Sequence, residues 1–380
     1  MVRWGGAEVR GAERGGGAMG VVTRVVTGNV LSDSTVSDVG VDGMPLMGMP
    51  VAGGPSEGVK ERGDGGRSGP DLPAGLTAVL LLAGGSRRPE LASSGRSPLA
   101  LPLADGEVVL GRLLAGLGVG GQGEPAGGGG GNVRLLAGAE GLLWPSGVPW
   151  RWPWVRVESD PRALRGTGGV LMDATLRYPA EAWVLVVQAA QVRTEALSAT
   201  AERLMAAAKR GVTSGGGAVA TEASVVISTD GAGSPDGVML MRCGALRQLK
   251  PVGFVDFKEQ ALAELAKVHR VVASRGAGRS VGVRTLRQYI EAVAMTAGAA
   301  ERDPLGELDP STAGRFRLVE AGGVVEEGAL LVDSVVLRGG VVESGGVVRR
   351  GLVGPGGRVR RTAVVVERLV GGEGGGAGGV

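Results

Sequence analysis

From Leu76 the chain reads LTAVLLLAGG, an apolar run closed by Gly84 and Gly85. A short run without polar alternation predicts a strand covered on both faces, as in a parallel sheet. The period then changes. VVLGRLLAGL (108–117) has helical spacing, and after the Gly-rich break GEPAGGGGG (123–131) the run NVRLLAG from Asn132 predicts a second strand. AWVLVVQAA from Ala182 predicts a third buried strand, followed by an amphipathic helix, ALSATAERLMAAAKRG, with Gly211 in the C-cap position. ASVVIS from Ala223 and GVMLMR from Gly237 predict two more strands. In DFKEQALAELAKV, Asp256 is placed to cap, Glu259 follows three residues later, and Phe257, Ala261, Leu265 and Val268 share one face. TLRQYIEAVAM from Thr285 predicts a last helix. Strands alternating with helices define an α/β layer fold.

The last part of the chain has another period. Val335, Val341, Val347, Val353, Val359 and Val365 recur every six residues, and Gly339, Gly345, Gly351 and Gly357 form a second register of six. A hexapeptide period predicts short parallel strands stacked as coils, with one small branched residue per strand pointing inward. On this register Val347 points inward and Glu343 outward. About six strand units make only two coils, so the tail should lean on the preceding domain.

These patterns divide the chain into a low-complexity, disordered or irregular extension (1–75), an α/β domain (76–300), a linker (301–320), the repeat (321–370) and a Gly-rich tail (371–380). A start codon placed too far upstream would give the extension the same look.

Composition sharpens parts of this picture. Of 380 residues 73 are Gly and only 3% are aromatic, so Val, Leu and Ala must fill the core. A formal net charge of +3 gives little reason to expect a nucleic-acid partner. The single cysteine, Cys243, cannot form an internal disulfide and reads as a small buried hydrophobe. No apolar run approaches the ~18 residues of a membrane helix, and the N-terminus shows no signal-peptide pattern; the expectation is a soluble cytoplasmic protein.

Four segments, in order, carry chemistry. LLAGGSRRPEL leads into RSPLALPLADGEVVL (96–110); RALRGTGGVLMDAT covers 162–175; GFVDFKEQALAEL covers 253–265; VGVRTLRQYIEAV covers 281–293. Together with the repeat tail they resemble the sugar-1-phosphate nucleotidyltransferases, the NDP-sugar pyrophosphorylases such as mannose-1-phosphate guanylyltransferases and glucose-1-phosphate adenylyltransferases. The resemblance implies a Rossmann-like nucleotidyltransferase domain followed by a short left-handed β-helix. It implies attack of a sugar-1-phosphate on the α-phosphate of a nucleoside triphosphate, and homo-oligomer or partner contacts through the β-helix. Gly84, Gly85, Arg87 and Arg88 would then cradle phosphate, with Arg87 and Arg88 neutralising the departing pyrophosphate. Gly166, Thr167, Gly168 and Gly169 would let the nucleotide approach the backbone, and Lys258 would hold the sugar phosphate. Each also has a plain reading: a strand-ending turn with two solvated arginines, a chance GTGG in a Gly-rich chain, and an exposed first-turn lysine.

The resemblance also implies Mg2+ held by two aspartates, and both are missing. The first place reads VVQAAQV (186–192), the second falls on Gly282 in SVGVRT, and a lysine expected near Ser97 is replaced within SPLA. Asp160 and Asp173 are the acidic residues nearest the GTGG segment in sequence, and neither stands in the expected place. The lone His269 falls at a helix end, a structural position. Arg349, Arg350, Arg358, Arg360 and Arg361 are solvated charges on the coils or one anion or partner surface. Two functional classes follow: an NDP-sugar-forming enzyme, or a non-catalytic nucleotide- or sugar-phosphate-binding regulatory or scaffold subunit of the same fold.

Overall fold

The computed structural model describes residues 72–83, 89–92, 94–118, 132–138, 144, 150–159, 166–210, 222–249, 257–297 and 316–372. All lie in one compact unit, Arg62–Val380. The extension read over 1–75 falls outside the described residues except for 72–75, and so do Gly211 and Asp256.

The α/β part contains strands β1 (Leu76–Leu82), β2 (Asn132–Ala137), β3 (Val155–Ser159), β4 (Trp183–Gln188), β5 (Gln191–Arg193), β6 (Val225–Thr229), β7 (Pro235–Arg242), β8 (Val271–Arg275) and β9 (Ser280–Gly282). Its helices are α1 (Pro89–Ala92), α2 (Val109–Ala115), α3 (Gly166–Thr175), α4 (Leu197–Lys209), α5 (Cys243–Leu246), α6 (Leu262–Val268) and α7 (Leu286–Thr296). Seven strands form one sheet in the order β3-β2-β1-β4-β7-β6-β8. All neighbours are parallel except β7, which is antiparallel to both β4 and β6.

β1 explains why its sequence does not alternate. Val79 and Leu81 face a layer with Leu110, Leu114, Leu197 and Leu204 from α2 and α4. Ala78, Leu80 and Leu82 face the opposite layer, with Leu171, Leu246 and Leu265 from α3, α5 and α6. Successive strand residues point to opposite faces, so a strand covered twice needs apolar side chains at every position. The β3 strand shows the converse: at the sheet edge its VRVES is buried only at Val155, and no apolar run marks it.

Two helix readings change in detail. GTGG, to which the sequence assigns no helix, forms the first turn of α3. The segment from Phe257 begins as a π-helical turn, Phe257–Ala261, before α6; Phe257, Ala261 and Leu265 are buried together, but Val268 is exposed. α7 starts as its pattern predicts, with the Thr285 hydroxyl accepting the Gln288 N–H.

The tail contains β10 (Arg317–Val319), β11 (Val324–Val325), β12 (Leu330–Val332), β13 (Ser334–Val336), β14 (Val341–Val342), β15 (Val347–Arg349), β16 (Leu352–Val353), β17 (Arg358–Val359), β18 (Val364–Val366) and β19 (Leu369–Val370). Its first strand falls inside the stretch read as a linker. The strands are dealt in rotation into three parallel sheets, β10-β13-β16-β19, β11-β14-β17 and β12-β15-β18. Partners are 17 residues apart throughout, as in Arg317↔Ser334, Val324↔Val341 and Leu330↔Val347.

A 17-residue turn corrects the strict register of six. The inward residues are Val325, Leu331, Val336, Val342, Val348, Val353, Val359, Val365 and Val370, which step by six, five and six. Val347 therefore lies on the outer side of its strand, and Val348 takes the inward place. The five-residue corner passes through Asp333, Arg350 and Glu367, each at positive φ and 17 residues from the next. Its neighbour corner uses Gly322, Gly339 and Gly356, where positive φ costs no Cβ clash.

The tail leans on the α/β domain, as its short length requires. Val335 and Leu352, with Leu337 beside them, form one cluster with Leu286, Tyr289, Ile290 and Val293. Among the described residues no helix is long and apolar enough to cross a membrane.

Candidate functional site

The C-terminal ends of β1, β2 and β4 are aligned by Leu82↔Leu136 and Leu82↔Gln188. The segment after β1, the entry to α3 and the turn into β5 all leave the sheet at this edge, where open α/β sheets bind ligands. Gly84, Gly85, Arg87 and Arg88 belong to it by connectivity, but they lie outside the described residues.

Gly166 enters α3 at φ +67°, and Gly168 and Gly169 are buried in its first turn. The far end of this helix is held by arginines. Arg134, fully buried on β2, donates to the Ala174 carbonyl at 2.5 Å, and Arg247 donates to the Thr175 carbonyl at 2.9 Å. Such donors satisfy C-terminal carbonyls and suit the negative end of the helix dipole. The N-terminal end has no acidic residue in its first turn. Lys258 sits in the π turn before α6, on the α3 side of the sheet.

β4 runs through Ala189 and Ala190 into β5, which pairs antiparallel with β9 so that Gln191 stands directly opposite Gly282. The two stretches from which the expected aspartates are missing therefore meet as one cross-strand pair, holding an amide and no side chain. Gln191 is 3% exposed; its Oε1 accepts from Ser280 at 3.2 Å, and its Nε2 has no partner.

Two residues further on β5, Arg193 is buried and donates to Asp236 Oδ2 at 2.8 Å and to Thr200 Oγ1 at 3.3 Å. Asp236 is fully engaged: Oδ2 also accepts from Ser228 at 2.8 Å, and Oδ1 accepts the Val238 N–H at 3.2 Å. Glu195 is paired with Arg203 at 3.1 Å. A cavity of about 230 Å3 beside this network is lined by Arg112, Arg193, Glu195 and Leu197. Arg112 is itself paired with Asp105. Arg193, Asp236, Glu195 and Arg203 carry no sequence signal, because the Arg193–Asp236 pair joins positions 43 apart with no motif around either.

This donor set does not fit Mg2+, which takes oxygen ligands including carboxylates. Gln191 offers one amide oxygen already engaged, Gly282 offers nothing, and Asp236 is neutralised by Arg193. Among the described residues no group of three or more His, Cys, Asp or Glu side chains could hold a metal ion.

Other singled-out residues fall into structural places. Ser97 caps the short turn Pro98–Ala100, accepting the Leu99 N–H. His269 Nε2 lies 2.9 Å from Gln248 Oε1. Cys243 is buried at the start of α5, and burial pushes its thiol up to about 11, away from the reactive thiolate. Asp173 lies on α3, beyond the GTGG turn, and Asp160 is outside the described residues. The tail arginines do not form one patch. Arg350 pairs with Glu367 and Arg358 with Glu343, while Arg349 lies on another sheet and Arg360 and Arg361 at a corner.

No family model matches the chain, and no curated protein matches it. Among solved structures it is similar to a putative glucose-1-phosphate thymidylyltransferase from Bacillus anthracis, at 11% identity over 58% of this chain and 94% of the other, with a TM-score of 0.43. It is also similar to a UDP-glucose pyrophosphorylase from Acinetobacter baumanii, at 11% identity over 60% and 95%, with a TM-score of 0.41. HddC from Yersinia pseudotuberculosis aligns at 15% identity over 57% and 98%, with a TM-score of 0.39.

Proposed function

We propose that this chain is a sugar-1-phosphate nucleotidyltransferase-like subunit that binds a nucleoside triphosphate or a sugar phosphate at the C-terminal edge of its sheet without metal-dependent turnover. One observation carries the reading: the stretch 186–192, which lacks the first carboxylate the resemblance implies, meets through Gln191 the position of the second, Gly282, and the nearby buried carboxylate, Asp236, is closed onto Arg193. In this reading Gly84, Gly85, Arg87 and Arg88 receive the phosphates through backbone N–H groups and guanidinium. Gly166, Thr167, Gly168 and Gly169 face the nucleotide at the N-terminus of α3, and Lys258 neutralises the sugar phosphate. The three-sheet tail is the left-handed β-helix of that architecture.

The test is a pair of measurements on the full chain. Calorimetry with a panel of nucleoside triphosphates and sugar phosphates should detect binding that falls about tenfold or more on Arg87→Ala with Arg88→Ala. Pyrophosphate release with magnesium and sugar phosphates should stay at background. Magnesium-dependent release would restore the enzyme reading, and absence of any binding would reduce the segment after β1 to a strand-ending turn.

A further inference from the structure

The seven-stranded sheet ends at β3, and no described strand pairs with its outer side. Edge strands are ordinarily blunted by a lysine, a proline or a bulge. β3 has none of these: Val155–Ser159 reads VRVES and follows β2 without a register shift. Its free peptide groups follow from the pairing. The Leu136 carbonyl accepts the Ala83 N–H on the β1 side, so Leu135 and Ala137 turn their peptide groups towards β3. In the register Leu135↔Val157 they bond to Arg156 and Glu158, which leaves the N–H and C=O of Val157 and Ser159 pointing away from the sheet. Val157, at the centre of the strand, is 42% exposed.

The side chains indicate what pairs there. Arg156 and Glu158 flank Val157 on one face of the strand, with Arg156 Nε 3.1 Å from Glu158 Oε1. Reversing VRVES about its central valine exchanges the arginine for the glutamate. An antiparallel copy therefore sets Arg156 opposite Glu158 and Val157 opposite its own equivalent, with no like charges face to face. The other edge of the sheet, β8, lacks this property: reversing VVASR about Ala273 sets Arg275 opposite Val271.

We propose that the β3 edge is an interaction surface for the β3 edge of a second copy, paired antiparallel about a two-fold axis that passes between the two Val157 residues, perpendicular to the sheet. The two sheets then run on as one. Each Val157 exchanges both main-chain hydrogen bonds with its equivalent, and each Ser159 N–H reaches the second copy's Val155 carbonyl. The Val155 N–H is already used within the chain, donating to the Trp152 carbonyl at 3.0 Å, so the pairing is confined to the strand itself. An isologous contact requires such self-complementarity, and the Arg156–Glu158 pairs on either side of the axis fix the register, because a shift by two residues sets Arg156 opposite Arg156 or Glu158 opposite Glu158. The contact lies on the α/β domain and involves neither the tail nor the ligand reading.

Two measurements on the full chain test it. In sedimentation equilibrium the chain should form a species of at least twice its 38.1 kDa mass. Val157→Lys places two like charges at the axis and should weaken this association at least about tenfold, while leaving thermal unfolding unchanged because the position is exposed. Arg156→Glu, which sets glutamate opposite glutamate, should also weaken it. The second measurement locates the contact. Hydrogen-bonded antiparallel partners stand about 5.5 Å apart at Cα, within the span of a disulfide, and the natural thiol of Cys243 is buried. Under mild oxidation Val157→Cys should therefore give a covalent dimer much faster than Glu202→Cys, on the exposed side of α4. A monomer at tens of micromolar, association indifferent to Val157→Lys, or cross-linking through position 157 no faster than through position 202 would each overturn the proposal.

Discussion

Arg96 and Glu320, 224 positions apart, form a bidentate pair at 2.8 and 2.6 Å that fastens the α/β domain to the first corner of the tail. The Arg96 side chain is 4% exposed and that of Glu320 22%. Glu320 also accepts the Arg338 N–H at 2.7 Å, so one carboxylate serves three donors. Tyr289, wholly buried close by, donates to the Pro102 carbonyl at 2.8 Å; burial holds its phenol well above the usual range and keeps it neutral. Glu320→Ala leaves a buried guanidinium unpaired and should destabilise the chain by about 2–4 kcal/mol. Denaturant unfolding checks this; a loss below about 0.5 kcal/mol would show that the pair behaves as a surface ion pair.

The inward register of the tail yields a sharper comparison between adjacent residues. Val348 is fully buried among Leu331, Val342 and Val365, whereas Val347 lies on the outer side of the same strand. Val348→Asp should cost about 3 kcal/mol or more, because a carboxylate would enter an apolar interior without a partner. Val347→Asp should cost under about 1 kcal/mol. Equal costs would mean that the stepping by six, five and six is misplaced.

That register also shows what could be read from sequence. The valine period announced stacked parallel strands, but it could not locate the five-residue corner, because the valines come in adjacent pairs and Val347 and Val348 look alike. The corner is set by Asp333, Arg350 and Glu367 at positive φ, residue types that do not advertise that conformation. In the α/β domain β1 and β4 were legible because burial on both faces leaves unbroken apolar runs. β3 was not, since an edge strand needs no such run. At the candidate site the absence of carboxylates was visible at once. That Gln191 and Gly282 are partners, and that Arg193 closes onto Asp236, depends on strands brought together across the fold.

Acid should act through Glu158. Burial raises its affinity for a proton, but hydrogen bonding and charge from Arg134, backed by Arg177 and Arg156, outweigh it and hold the carboxyl below its usual range. A carboxyl lowered on folding contributes stability present above its unfolded pKa, and this is lost as pH falls through the folded value. Stability should therefore decline below about pH 4.5, and Glu158→Gln should lose part of that decline while lowering stability at neutral pH. Parallel acid profiles for the two proteins would mean that other carboxyls set it.

The last prediction reverses the feature on which the functional reading rests. Gln191 and Gly282 are cross-strand partners, so side chains placed there start only about 5 Å apart, within reach of one cation. At Gly282 a new Cβ would meet nothing closer than Arg284 Nε at 3.7 Å, an ordinary contact. At position 191 an aspartate is one methylene shorter than the natural glutamine and demands no additional space. Gln191→Asp with Gly282→Asp should thus fold and create a divalent cation site absent from the natural chain. With two carboxylates and one arginine nearby, its dissociation constant should be on the order of a millimolar or somewhat below. Each single substitution should bind at least about tenfold more weakly, because one carboxylate cannot bridge. Calorimetry with Mg2+ and Mn2+ reads both effects. A folded double variant that binds no better than either single one would show that the ribbon does not hold the position where the resemblance places the metal, and the argument for a retired site would have to move elsewhere on the sheet edge.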